Sequence, residues 1–180
     1  MGGVAGGVNA SLGPALENGA EPVRWDELAS DDCPIARTLS VIGDRWSALI
    51  LRDALRGVSR FDGFQARLGC SREMISRRLA NLVESGVLER KAYQTHPERF
   101  DYLPTDKARA LGHVLMMMAQ WGETWLPTPT SRPLERRHRA CGHSFKPTLV
   151  CSECLAPLEP GGVDYPGGPA RGSGVSRDAN

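Results

Sequence analysis

Two sets of residues in this chain have types and spacings that could do chemistry. The first is His138-x2-Cys141-Gly142-His143, followed by Cys151-Ser152-Glu153-Cys154. Donor pairs separated by two residues suit two knuckles around a tetrahedral Zn²⁺, with His138, Cys141, Cys151 and Cys154 as ligands. His143 is the alternative nitrogen donor. Four ligands leave no open position, so such an ion would be structural rather than catalytic. The stretch between the pairs is long enough for a tight hairpin, and Pro147 supports a turn. Phe145, Leu149, Leu155 and Leu158 are too few to fold the segment without a staple. A metal-free hairpin with reduced thiols is the competing reading.

The second set is cationic and polar. Arg72, Glu73, Ser76 and Arg77 sit in the N-terminal half of the stretch 71–86, and Arg90, Lys91 and Arg99 follow soon after. Guanidinium groups and short polar side chains at helical spacing can reach base edges in a DNA major groove, and nearby cations can grip phosphate. The competing reading is an amphipathic surface helix with solvated charges.

Those side chains need elements to hold them. Pro34 suits a first helical turn, Ile35, Leu39 and Ile42 form an apolar stripe, and Gly43 ends that helix. A second helix is expected from Asp44, as N-cap, to Arg56, with Trp46, Leu49, Ile50 and Leu55 mostly inward. A third is short, capped by Ser59, packed through Phe61, Phe64 and Leu68, and stopped by Gly69. The fourth runs from an N-cap at Ser71 to Gly86, with Ile75, Leu79, Leu82 and Val83 on one face. Val87 to Tyr93 and Phe100 to Leu103 then read as a two-stranded hairpin tipped by residues 95–99. Thr105 caps a long helix over 106–126, whose Leu111, Val114, Leu115, Met118, Trp121 and Trp125 form a stripe wider than one small domain buries. A second copy of the chain is the expected cover. The Pro-rich stretch 127–133 ends this helix as a stiff linker. The fold class is therefore mainly α with a small β-hairpin: a winged helix-turn-helix over 24–131, then a small Cys/His hairpin over 132–160. The Gly-rich ends, 1–23 and 161–180, are expected to be disordered.

This order of elements places the fourth helix as the reader of a helix-turn-helix and the hairpin as its wing. Arg90, Lys91, His96 and Arg99 on the wing can touch backbone or minor groove, and Arg45 and Arg60 add phosphate contacts. Net charge is only +1, but residues 33–131 carry 14 Lys/Arg against 10 Asp/Glu. There is no nucleophile–base–acid set, no phosphate-binding Gly loop and no paired carboxylates with a rationale, so no enzymatic activity is expected. No apolar run approaches the ~20 residues of a membrane span. The first 22 residues lack a secretory pattern, which makes a cytoplasmic protein the simplest expectation.

The chain resembles the HxlR-type winged-helix transcriptional regulators, relatives of the MarR group. The resemblance is carried by Cys33-Pro34, by Ile42-Gly43-Asp44-Arg45-Trp46, by Arg60-Phe61, by Met74-Ile75-Ser76-Arg77-Arg78-Leu79 with Leu82 and Gly86, and by Tyr102 and Thr105. It departs at Pro104, where an apolar strand residue is usual, and at Ala108, where Gly is common. The resemblance implies a homodimer on a two-fold related DNA operator, joined through the N-terminal helix and the long helix 106–126. It also implies that Cys33 is a candidate sensor of oxidants or electrophiles. A helix N-terminus favours the reactive thiolate, although Asp31 and Asp32 oppose it; packing at the dimer seam is the plainer role. A small-molecule effector is the other candidate signal. The rival functions are a winged helix used for protein contact, which would bind DNA without steep salt dependence, and a zinc-ribbon redox protein or enzyme.

Overall fold

The computed structural model describes residues 27–130 and 132–165. The expected disordered ends therefore lie outside the described residues, except for 161–165. The chain divides into two compact units, 1–110 and 111–180, with the boundary inside the last helix.

The first unit is built from short helices and one hairpin. After a 3-10 turn at Leu28–Ser30 come α1 (Pro34–Ile42), α2 (Ser47–Leu55), α3 (Phe61–Leu68) and α4 (Arg72–Glu84). The strands β1 (Leu88–Thr95) and β2 (Glu98–Pro104) pair antiparallel, and α5 (Asp106–Trp125) begins directly after them. Ile50, Leu51, Phe64, Ile75, Leu79, Leu82 and Val87 are completely buried. Each such side chain contributes roughly 2 kcal/mol by leaving water, so this apolar centre dominates the stability of the unit.

The ends of the helices follow from their capping residues. Asp44 serves as expected, its Oδ1 accepting from the amides of Trp46 (2.8 Å) and Ser47 (3.1 Å), although the helix proper begins at Ser47. Ser71 caps α4 by accepting from the Met74 amide. Gly69 takes a left-handed φ of +65° between α3 and α4, a turn that a side chain would strain. The Thr105 hydroxyl lies 2.8 Å from the Gly86 carbonyl and 3.0 Å from that of Val87, tying the start of α5 to the exit of α4.

Two expectations are corrected. Ser59 does not cap α3: its hydroxyl donates to Asp101 Oδ1 at 2.7 Å, and Arg60 holds the N-cap position. The hydroxyl is drawn away because β2 pairs locally with the α2–α3 loop, through an Arg60–Asp101 bridge and a Tyr102 amide donating to the Ser59 carbonyl. The apolar stripe on α1 is present as expected, but only part of it is covered. Ala36 and Ile42 face inward, whereas Ile35 and Leu39 are exposed, at 69 % and 43 %. Ile35, Leu39 and Ile42 lie within one arc of the helix, so the exposed pair is the part of the stripe that the unit leaves uncovered. Finally, both strands run longer than expected, leaving His96-Pro97 between them, with a bulge at Tyr93. Pro104 is accommodated because it is the last residue of β2, opposite Leu88, where a missing amide costs least.

One buried carboxylate locks the second and third helices. Asp53 is fully buried, and it accepts from Arg52 (3.0 and 3.1 Å) and from Arg67 on α3 (3.3 Å). Burial pushes its pKa up, but the hydrogen bonds and charges of the two guanidiniums outweigh this and hold it below the ordinary 3.8. A depressed folded pKa means stability that is present at neutral pH and lost as pH falls below about 3.8 toward the folded value. Asp53→Asn should therefore destabilise the protein by about 1–3 kcal/mol at pH 7. Urea unfolding at pH 7 and at successively lower pH should show wild type converging on the variant; a constant gap across the range would refute the assignment.

Candidate nucleic-acid interface

The geometry of α4 decides what it can touch. Ile75, Leu79 and Leu82 occupy its inner face, and Glu73, Ser76, Arg77, Ala80 and Asn81 are exposed on the other. The helix is also tethered by charge. Arg78 Nε stands 3.1 Å from Asp44 Oδ1 in a partly buried pair, with side chains 23 % and 21 % exposed. The pair is an ion contact rather than an aligned hydrogen bond. Burial raises the Asp44 pKa, but bonds from the Ser47 hydroxyl and from the amides of Trp46 and Ser47, with the Arg78 charge, bring it below the ordinary 3.8. The same carboxylate thus caps α2 and orients α4. This tether was not legible in the sequence, because the two residues are far apart along the chain.

The arginines expected to meet DNA fall into two groups. Arg77 is exposed on α4 with only a 3.6 Å approach to Met74 Sδ, and Arg45, Lys91 and Arg99 are exposed on the surface of the unit. Arg72, Arg60 and Arg90 are already engaged. Arg72 donates to Asp62 (3.1 Å) and Gln65 (2.9 Å), with its guanidinium 4.7 Å from the centre of the Phe61 ring. Arg60 lies over Tyr93 at 4.6 Å and 3.8 Å from Asp101, and Arg90 lies over Phe100 at 4.1 Å. These contacts are exposed and individually worth no more than about 1 kcal/mol. They pre-orient the cations; Asp62 also faces Arg72, and Asp101 faces Arg60.

Between the wing and α3 the same side chains frame a groove of about 550 Å³. Arg60, Arg72 and Arg99 line it together with the carboxylates Asp62 and Glu98, and Phe61, Tyr93, Phe100 and Tyr102 form its walls. Sequence reading missed this groove; the alternation of aromatics and arginines on β1 and β2 was the available signal. Cys33 occupies the N-cap position of α1 and is exposed, and its amide donates to Asp31 Oδ1 at 2.6 Å.

A family model for HxlR-like helix-turn-helix proteins matches residues 41–130. The chain belongs to the HxlR-like helix-turn-helix family. An uncharacterized HTH-type transcriptional regulator of Mycobacterium tuberculosis is 40 % identical over 120 residues, spanning 67 % of this chain and 76 % of the relative. The regulator YdeP of Bacillus subtilis is 31 % identical over 103 residues, spanning 55 % and 80 %. Among solved structures, PA1607, provisionally assigned as a transcription factor, superimposes with a TM-score of 0.66 at 34 % identity, over 83 % of this chain and 98 % of its own. A second such protein, PA1374 of Pseudomonas aeruginosa, gives 0.54 at 34 % identity, over 78 % and 96 %. These relatives are named as transcriptional regulators, not enzymes, and the winged helix-turn-helix expected from the sequence is the fold observed. Among the described residues no helix is long and apolar enough to cross a membrane.

In the second unit the sequence-derived donors meet in pairs. His138 Nδ1 is 3.2 Å from Cys141 Sγ. Cys151 is bonded by the amides of Cys154 and Glu153 and by the Cys154 thiol, which hold it below its ordinary 9.0. His143 is exposed. Glu123 on α5 accepts from Arg136 (3.0 and 3.1 Å) and from the Leu134 amide (2.7 Å), fastening the chain after the Pro-rich turn back onto the helix.

The Asp44–Arg78 tether makes a specific prediction. In a double-mutant cycle with Asp44→Asn and Arg78→Gln, the coupling should be about 1 kcal/mol, because the pair is only partly buried. Chemical unfolding of the four proteins measures it, and additive effects within error would remove the tether from the account of how α4 is held.

Proposed function

We propose that this regulator binds DNA sequence-specifically, as a homodimer on a two-fold related operator. The observation that supports this best is the combination on one unit of a rigidly held α4, with Glu73, Ser76 and Arg77 exposed, and a wing carrying exposed Lys91 and Arg99. In this reading α4 enters the major groove and its outward side chains meet base edges. Arg77 can make the bidentate contact that distinguishes guanine. Arg45, Arg72, Lys91 and Arg99 neutralise phosphates and set the register, with Arg60 and Arg90 held ready over their aromatic rings. DNA selected from a random pool should yield a preferred duplex with steeply salt-dependent affinity. Arg77→Ala should relax preference at one position of each half-site and cost about 1–3 kcal/mol, whereas Arg99→Ala should weaken all sequences alike and flatten the salt slope by about one phosphate. Absence of any preferred duplex at physiological salt would favour a protein-contact module instead.

The dimer rests on separate apolar faces left open on α1 and α5. Ile35 and Leu39 are exposed on the first, and Val114, Met118, Trp121 and Trp125 on the second, at 44 %, 52 %, 58 % and 69 %. Large aromatic side chains left in water at this density are characteristic of surfaces that a partner covers. A second copy matches the operator logic, because one α4 reads only a few base pairs and two read a palindrome. Light scattering at micromolar concentration should give twice the chain mass of 19.5 kDa, and Trp121→Glu with Trp125→Glu should shift it to the monomer. A wild-type monomer across that range would exclude the assembly.

A further inference from the structure

The segment after the Pro-rich turn repeats its own backbone, with His138 corresponding to Cys151 and Cys141 to Cys154, a shift of 13 residues. The His138 amide donates to the His143 carbonyl at 2.9 Å, and the Cys151 amide to the Ala156 carbonyl at 2.9 Å. Gly142 returns its amide to the His138 carbonyl at 2.7 Å, and Leu155 to that of Cys151 at 2.9 Å. The Phe145 amide reaches the Arg136 carbonyl at 2.9 Å, and the Leu158 amide that of Leu149 at 2.8 Å. Isolated strand bridges close both turns at equivalent places, Arg137 with Ser144 and Val150 with Pro157. Two turns of one design therefore carry the candidate donors at the same two positions.

Two further observations say what the design is for. The residue after the second donor is left-handed in both turns, with φ of +74° at Gly142 and +59° at Leu155. Leu155 is the one non-glycine with such a φ among the described residues. For a bulky side chain this conformation is unfavourable and persists where something else demands the turn. In addition, no residue of the described stretch 132–165 is buried, and Leu149 and Leu155 are 55 % and 71 % exposed. Beyond an edge-on contact of the His138 and Phe145 rings, 6.2 Å between centroids, the described segment has little apolar packing to account for its regular turns. Small folds without a core are held by disulfides or metal, and all three cysteines here are free thiols.

We infer that His138, Cys141, Cys151 and Cys154 bind one structural Zn²⁺. The repeat selects between the two histidines: His138 stands where Cys151 does, whereas His143 falls at the place of Ala156 and is not a ligand. Each turn presents its two donors close together, 3.2 Å apart for His138 Nδ1 and Cys141 Sγ. Among the described residues no three such groups gather around one point; binding the ion brings the two turns onto each other. Binding displaces the three thiol protons and leaves a tetrahedral three-thiolate, one-imidazole site with no open position. The site does not depend on the DNA-binding reading, and its test does not involve DNA.

The test uses the full chain, purified with reductant and without chelator. Metal analysis should find about one zinc per chain. Cobalt added to the stripped protein should give tetrahedral thiolate-bound absorption that saturates at about one ion. His138→Cys should keep the metal and alter the cobalt spectrum, and His143→Ala should change neither. Cys151→Ser with Cys154→Ser should lose the metal. Zinc should also slow alkylation of Cys141, Cys151 and Cys154 in the wild type at least tenfold, a readout that does not rely on any variant folding. Zinc far below stoichiometry, no tetrahedral cobalt spectrum, and alkylation rates indifferent to zinc would overturn the inference, as would loss of the site in His143→Ala alone.

Discussion

What α4 can offer to DNA depends on the burial of Ile75, Leu79 and Leu82 along its inner face. Three side chains removed from water contribute roughly 2 kcal/mol each, several times what any exposed ion pair on this surface can supply. That difference settles the division of labour on the helix. Apolar packing fixes its position, Ser71 and Gly69 fix where it starts, and the Asp44–Arg78 pair fixes its rotation about the packed face. The outward residues Glu73, Ser76 and Arg77 are then free of structural duty. A helix held less firmly would spend binding energy on ordering itself rather than on discriminating bases.

The wing follows the same logic with different materials. β1 and β2 have one another and a short pairing with the α2–α3 loop, where Ser59, Arg60 and Asp101 meet. Its outer surface has too few apolar residues to pack, and the arginines instead lie across Tyr93 and Phe100. Such stacking orders a guanidinium while leaving its charge available, which is useful for a cation that must meet phosphate. Arg72 and Arg60 also face carboxylates, Asp62 and Asp101.

Local signals carried most of the fold. Helix limits were legible from Pro34, Asp44, Ser71, Gly69 and Gly86, because capping and left-handed turns are decided within a few residues. The same holds for the inner face of α4. What could not be read depended on long-range partners. Ser59 has the chemistry of a cap, but Asp101 competes for its hydroxyl from the far strand. Ile35 and Leu39 read as part of an apolar stripe, but periodicity does not say whether the fold itself or a partner covers it. The buried Asp53 and the Asp44–Arg78 tether join residues that only the tertiary fold brings together. In the second unit the donors were legible by spacing, whereas the repeat of the two turns, which separates His138 from His143, exists only in the backbone.

The central claim is the proposal that two copies of α4, one from each protomer, read DNA together. A hydroxyl-radical footprint of the full chain on its preferred duplex tests this most directly. The account predicts two equivalent protected zones related by a dyad, with the faces read by α4 about one helical turn, ~34 Å, apart, and flanking protection from the wings. A single unpaired zone, or uniform protection that ignores sequence, would contradict it.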